Sequence, residues 1–318
     1  MNLHQFRFVQ EAVRRGLNLT ETARALYTSQ PGVSKAILEL EQELGVDIFV
    51  RHGKRLRQVT DPGQHVLRSI DIILREVANL KRIGDEYSQQ DSGRLSIATT
   101  HTQARYVLPG PVGELRRLYP KVDVSLHQGT PEQVGQMLLD HSADVGLATE
   151  SLSSFDGLVT LPCYEWQHVI VVPEGHALAR GPAKLTLKAL AAHPLVSYQP
   201  AFAGRRRVDE AFAAAGITPR VALEAIDSDV IKTYVRSGLG VGVVAEMAVR
   251  EPGALDGLVS RPAGHLFGTN TTRVAFRRGV FLRHYVHTLV NLLAPALTSE
   301  VIDAAMSQAA GGAPVETA

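Results

Sequence analysis

The chain has 318 residues, 45% of them hydrophobic, and a formal net charge of +1. That length suits two or three domains, and that hydrophobic content excludes a disordered chain. The near-zero charge excludes a globally basic nucleic-acid binder, so any such affinity must come from a local patch.

A single cysteine, Cys163, leaves no intramolecular disulfide and no cysteine-based metal cluster. The opening M-N-L-H-Q-F-R lacks the apolar core of a signal peptide. No apolar run is long enough to span a bilayer. The expectation is a cytoplasmic protein with no membrane partner.

Residues 2 to 16 read as a first helix, with Leu3, Phe6, Val9 and Val13 inward and Gly16 at its end. Leu19, Thr22, Ala23 and Leu26 recur at helical spacing, and Tyr27, Thr28 and Ser29 interrupt them. Ser29 stands where an N-cap would, with Pro31 in the first turn of the next helix. Val33, Ile37, Leu40 and Leu44 form that helix's apolar stripe, and Gln30, Ser34 and Lys35 lie opposite. A polar, basic first turn held by a shorter preceding helix suits a DNA major groove. Arg51, Lys54, Arg55 and Arg57 follow around Gly53, a basic hairpin suited to phosphates. Alone, the helix pair could be an ordinary αα-hairpin and the basic run a solvated loop. Together they predict a DNA-binding head over residues 1–60, with Thr28, Ser29, Gln30, Pro31, Ser34 and Lys35 at the groove and Arg51, Lys54 and Arg55 on the backbone.

Thr60 and Pro62 start a third long helix, over residues 61–88. Val66, Ile70, Ile73, Val77 and Leu80 follow a heptad pattern that Tyr87 extends. The stripe could cover its own head, but a small head has little core to cover, so pairing with a second copy is favoured. Ser88 to Gly93 is polar and small, a hinge.

Strand patterns then alternate with helices. Strands are expected at Leu95–Thr99, Val122–Leu126, Val145–Leu147, Val169–Val172, Leu195–Tyr198, Val221–Ala225, Val241–Val244 and Arg273–Phe276. Helices are expected at Leu108–Tyr119, Pro131–Asp140, Leu187–His193, Val208–Ala215, Val230–Ser237 and Leu282–Leu293. The alternation predicts an α/β domain over residues 89–318, with a parallel sheet covered on both faces. Two lobes are expected, lobe I at about 93–162 and 268–295 and lobe II at about 163–267. Their crossings fall near Pro162 to Gln167 and Val259 to Phe267. The tail from Ala304 is low in complexity, with its last residues expected to be disordered.

T-T-H-T-Q-A-R-Y-V-L-P, residues 99 to 109, places Thr100, His101, Thr102 and Gln103 between a strand and a helix. Hydroxyl, amide and backbone donors there suit a small anion, unless the threonines merely cap the helix. Thr149 and Phe202–Ala203 also follow strands, at carboxyl ends where such folds bind ligands. Trp166, the one tryptophan, is either core or a ligand contact. Gly238 to Gly242, G-L-G-V-G, precedes a strand and misses dinucleotide spacing. His284 and His287 lack a third metal ligand. No catalytic constellation, cofactor motif or metal site is expected.

S-Q-P-G-V-S-K-A-I-L-E-L-E-Q-E-L-G-V-D-I-F-V-R resembles the signature of LysR-type transcriptional regulators, with Ile48 where that family usually has leucine. T-T-H-T-Q-A-R-Y-V-L-P and D-V-I-K-T-Y-V-R-S-G-L-G-V-G-V-V-A further resemble its CysB-like branch, the regulators of cysteine biosynthesis and sulfur assimilation. The resemblance implies a winged helix-turn-helix, a dimerising linker helix and a two-lobed effector domain like a periplasmic binding protein. It implies promoter DNA and RNA polymerase as partners, a homotetramer, and no enzyme activity. Its effector would be an acetylserine-type inducer opposed by sulfate or thiosulfate. Mapped by motif, the effector site becomes Thr100, Thr102, Gln103 and Thr149, lined by Trp166. Where the branch reads F-T-G-R this chain reads Phe202-Ala203-Gly204-Arg205, one hydroxyl fewer. A regulator of alternative sulfur sources sensing adenosine phosphosulfate is the nearest rival. A ligand-binding or enzymatic α/β protein with an incidental helical head is a more distant one.

Overall fold

A computed structural model describes residues 1–53, 55–88, 92–180 and 184–311. Two compact units emerge, Met1–Ser88 and Gln89–Ala318. Among the described residues no helix is long and apolar enough to cross a membrane.

The first unit begins with α1 (Leu3–Arg14), whose Asn2 cap and Gln5 form a reciprocal capping box. Next come α2 (Leu19–Ala25), capped by Asn18, and α3 (Gln30–Leu44), capped by Ser29 with Pro31 in its first turn. A two-stranded antiparallel wing follows, β1 (Phe49–His52) and β2 (Arg55–Val59). α4 (Asp61–Ser88) closes the unit. The Thr60 hydroxyl accepts from Gly63 N–H at 2.9 Å and so caps α4. A Cβ on Gly63 would stand 2.1 Å from the Ile48 carbonyl oxygen, so only glycine lets α4 start this close to the wing.

Phe6, Val9, Val33, Ile37, Leu40, Ile48 and Leu56 meet in the core of this head. Each contributes about 2 kcal/mol through burial. Leu3, Val13 and Leu44, expected inside, are exposed. Ala12 takes the inner place on α1. The stripe on α4 divides. Ile70 is 2% exposed and packs into the head with Val66, Leu67 and Leu74. Ile73, Leu80 and Tyr87 are 38%, 69% and 80% exposed. The first half of that stripe therefore covers its own head.

The second unit runs β3 (Ser92–Thr99), α5 (His101–Tyr106), α6 (Pro109–Leu118), β4 (Lys121–Gln128), α7 (Pro131–Leu139), β5 (Val145–Thr149) and β6 (Leu158–Pro173). It continues through α8 (Leu187–Ala191), β7 (Leu195–Tyr198), α9 (Ala203–Ala214), β8 (Val221–Ala225), α10 (Ser228–Arg236) and β9 (Val241–Ala245). β10 (Leu258–Pro262), α11 (Gly264–Phe267), β11 (Thr269–Arg277), α12 (His284–Leu293) and α13 (Ser299–Gly311) complete it.

The strands lie in the order β4-β3-β5-β11-β6-β9-β7-β8, with β10 on β6. β3 pairs in parallel with β4 and β5, and β7 with β8 and β9. The centre is not parallel as expected: β11 runs antiparallel to β5 and β6, and β6 antiparallel to β9 and β10. β6 and β11 carry the chain out to lobe II and back, so they must oppose each other.

β6 does not break where a crossing was expected. It pairs with β11 through Gln167, then with β9 from His168 and β10 from Val169. Its burial on both lobes keeps it extended. The return segment, where the second crossing was expected, contains β10 and α11. α13 reaches Gly311, with Ile302 and Met306 in the lobe I core. This helix packs on β6 and α12. The residues after Gly311 lie outside the described residues.

Candidate functional site

In the head, Ser29 accepts from Gly32 N–H at 3.3 Å, which starts α3 and sets its first turn outward. Thr28, Ser29, Pro31 and Lys35 are exposed, and Gln30 and Ser34 half-buried, so these residues share one accessible face. Lys35 approaches Glu39 at 3.8 Å, but both side chains are well exposed and the pair holds little. Tyr27, which the sequence reading passed over, is 98% exposed beside that turn. An aromatic two residues before an N-cap was the available signal.

The wing separates its arginines. Arg55 and Arg57 are exposed. Arg51 is not: its Nη2 donates to Glu41 Oε2 at 2.9 Å. Glu41 is buried, and its Oε1 accepts from the Ile48 and Phe49 N–H groups at 2.9 and 3.0 Å. Arg51 thus completes a buried carboxylate's shell rather than standing free for phosphate. Lys54 lies outside the described residues. An open groove of about 1050 Å³, lined by Asn18, Gln30 and Arg55 among others, runs between the α2 start and the wing, on the same face as those basic residues.

In the second unit, β3, β5 and β7 end together at a cleft of about 350 Å³. Lobe I supplies Thr100, Thr102, Gln103, Pro131 and Thr149. Lobe II supplies Tyr198, Phe202 and Gly204, and Trp166 of β6 stands between. Six of the eight expected effector residues therefore line one cavity. His101 does not; its ring nitrogen comes together with carboxylate oxygens of Asp227 and Asp229. Ala203 opens α9, and its side chain lies outside the described residues.

The threonines are not ordinary caps. Thr100 occupies the N-cap position of α5 but makes no side-chain capping bond. Thr149 Oγ1 is buried without a partner among the described residues. Thr102 faces the cleft opposite Tyr198, whose hydroxyl is held by Ser228 at 2.6 Å and by the Ala245 N–H at 2.9 Å. Gln103 is more constrained than expected. Its Oε1 accepts from Tyr164 Oη, and its Nε2 donates to Thr272 Oγ1 at 3.4 Å. Trp166 Nε1 donates to the same Thr272 oxygen at 3.1 Å. Thr272 thus fixes both Gln103 and Trp166. Among the described residues no lysine or arginine lines the cleft, so its recognition rests on hydroxyls and first-turn N–H groups.

Behind Trp166 lies His168, fully buried, with ring centroids 5.1 Å from Trp166 and 5.7 Å from Phe267. Burial, reinforced by the Arg207 charge, pushes its imidazole down to about 4, so it is neutral near pH 7. A Cβ at Gly204 would stand 3.0 Å from His168 Nε2 and 3.2 Å from Trp166 Cη2, so glycine lets α9 close against the cleft floor.

The sequence reading missed Pro131, Tyr198, Tyr164 and Thr272 and named Gly204 only alongside Phe202 and Ala203. Tyr198 ends β7, and Pro131 follows β4 in a Thr130 capping box, so the strand-end rule that found Thr149 also reaches them. Thr272 sits mid-strand on antiparallel β11, and no spacing pointed to it.

Residues 3–64 match the bacterial regulatory helix-turn-helix proteins of the lysR family, and residues 88–298 match the LysR substrate binding domain. The chain is 55% identical to the HTH-type transcriptional regulator CysB of Burkholderia cenocepacia, over 96% of this chain and 97% of that protein. It is 50% identical to the HTH-type transcriptional regulator SsuR of the same species, over 97% and 100%. The crystal structure of the cofactor-binding domain of the Cbl transcriptional regulator matches with a TM-score of 0.65 and 41% identity, over 70% of this chain and 95% of that one. With matches over nearly its whole length, the chain belongs to the LysR family of DNA-binding transcriptional regulators and is not an enzyme.

Proposed function

We propose that this regulator controls sulfur-assimilation and cysteine-biosynthesis genes in response to a small metabolite bound between its lobes. The observation that carries the reading is the buried, unpartnered Thr149 hydroxyl facing the same cleft as Thr100 and Thr102. A buried hydroxyl left unsatisfied costs stability, so its retention suits a ligand that satisfies it. The uncharged donor set suits an acetylserine-class inducer or a small sulfur oxyanion such as sulfate or thiosulfate. α5 is only six residues long, so its individual N–H groups, not a helix macrodipole, would do the binding. Similarity to CysB, SsuR and Cbl regulators supports the sulfur assignment.

Promoter DNA would take the first turn of α3 through Gln30, Ser34 and Lys35, with Arg55 and Arg57 on phosphates. Residues 1–60 would be the head, 61–88 the dimerising linker and 89–318 the effector domain. The exposed Ile73 and Leu80 on α4 would pair two copies, and a tetramer contacting RNA polymerase would follow. Melting the full chain with sulfate, thiosulfate, acetylserine and adenosine phosphosulfate tests the reading, since binding raises the transition in proportion to ligand excess over Kd. Stabilisation by acetylserine or a small sulfur anion, lost in Thr100→Ala, is expected. A response to adenosine phosphosulfate alone would replace the effector class.

A further inference from the structure

α5 touches both lobes. Its first turn presents Thr102 and Gln103 to the cleft. Its last turn carries Arg105 and Tyr106 towards α10 of lobe II. Tyr106 Oη donates to Asp229 Oδ1 at 2.7 Å and accepts from Lys232 Nζ at 3.3 Å. Arg105 approaches Asp229 at 3.8 Å and Glu251 at 3.3 Å. The Lys232 ammonium and the Arg105 guanidinium lie 5.4 and 5.2 Å from the Tyr106 ring centroid. Tyr106 and Val107 also pack on the cluster of Trp166, Ala245 and Met247.

Lys232 makes this contact unusual. It is 4% exposed, and a charged lysine at that depth must be paired. It finds Asp229 at 3.1 Å and the Ala248 carbonyl at 2.8 Å, both in lobe II. Tyr106 brings a lobe I hydroxyl to this pair. Separating the lobes would strip that hydroxyl from Asp229 and admit water to the cluster, so the contact is made or broken as a unit.

We propose that Tyr106 is a positioning residue for the effector cleft: its hydroxyl fastens lobe I to the Asp229–Lys232 pair and, through α5, holds Thr102 and Gln103 in the closed arrangement that a ligand binds. This rests on the cleft being the effector site. A ligand that bridges the lobes gains apparent affinity from any contact that already populates the closed state. The latch stands at one end of α5 and the ligand donors at the other, so each end biases the other.

The test uses the full chain with Tyr106→Phe, which keeps the ring and removes the hydroxyl. In the ligand-free protein, amide exchange in residues 101–107 and 228–236 should accelerate about tenfold, while α12 in the lobe I core stays protected. The Kd for acetylserine, or for sulfate where acetylserine does not bind, should rise by about tenfold. Asp229→Asn removes the same contact and also strips the buried Lys232 of its carboxylate, so its effect should be at least as large, and the double variant should be no worse than Asp229→Asn alone. Unchanged exchange would overturn the latch whatever the ligand. Faster exchange with unchanged Kd would overturn the positioning role. Faster exchange in a chain whose wild type binds neither probe would retain the latch and refute the effector class, which separates the two readings.

Discussion

Arg51 turns inward to Glu41, 2.9 Å from its Oε2, although its wing neighbours Arg55 and Arg57 are exposed. The pair links α3 to the first strand of the wing, and Glu41 also holds the Ile48 and Phe49 N–H groups. Arg51→Ala would leave a buried carboxylate short of its charged partner. Two backbone donors remain, so the cost should be about 2 kcal/mol rather than that of a fully abandoned charge. Calorimetry of the full chain should show the loss in the transition of the first unit. An unchanged transition would return Arg51 to the solvent-facing set.

Arg55 should behave in the opposite way. It is exposed, and nothing in the head depends on it for packing. Arg55→Ala should leave thermal stability within about 0.5 kcal/mol of wild type. It should weaken binding to all duplexes alike and reduce the slope of log K against log salt by about one. A salt titration with an unchanged slope would remove Arg55 from the phosphate contacts.

Much of this chain was legible because local chemistry and tertiary structure agree. Ser29 and Pro31 mark the start of α3, and β7 and β8 fall where their apolar runs lie. Thr100, Thr149 and Phe202 were found because they follow strands that end on one side of a sheet. What could not be read depended on partners distant in sequence. Arg51 looks like its basic neighbours until Glu41, ten residues earlier, is placed beneath it. Thr272 lies 169 residues from Gln103, and only the antiparallel return of β11 brings them together. Periodicity on α4 could not separate Ile70, buried in the head, from Leu80, left exposed, because both satisfy the same heptad.

Thr149→Val tests whether the cleft keeps a polar atom for binding rather than for folding. Valine matches threonine in shape, and the buried hydroxyl it replaces has no partner among the described residues. Stability should be unchanged or higher by about 1 kcal/mol. Affinity for acetylserine or sulfate should fall about tenfold, roughly 1.4 kcal/mol. Titration calorimetry and a melt on one preparation check both signs. A destabilised protein with normal affinity would make Thr149 a structural residue.

His168 should impose a pH dependence on folding. Its imidazole sits at about 4 in the folded chain, below its ordinary 6.5, because burial between Trp166 and Phe267 disfavours the cation. As pH falls through 6.5 the unfolded chain takes up a proton that the folded chain refuses until about 4. The contribution is therefore fully present above pH 6.5 and is lost on acidification towards 4. The slope reaches about 1.4 kcal/mol per pH unit, or about 3 kcal/mol over the window. His168→Gln cannot titrate, so its urea-derived stability should vary less with pH across that window by this amount. The variant starts lower, because the aromatic packing is lost, but the difference in slope is independent of that offset. Parallel curves for variant and wild type would mean that His168 accepts its proton without any cost to the fold.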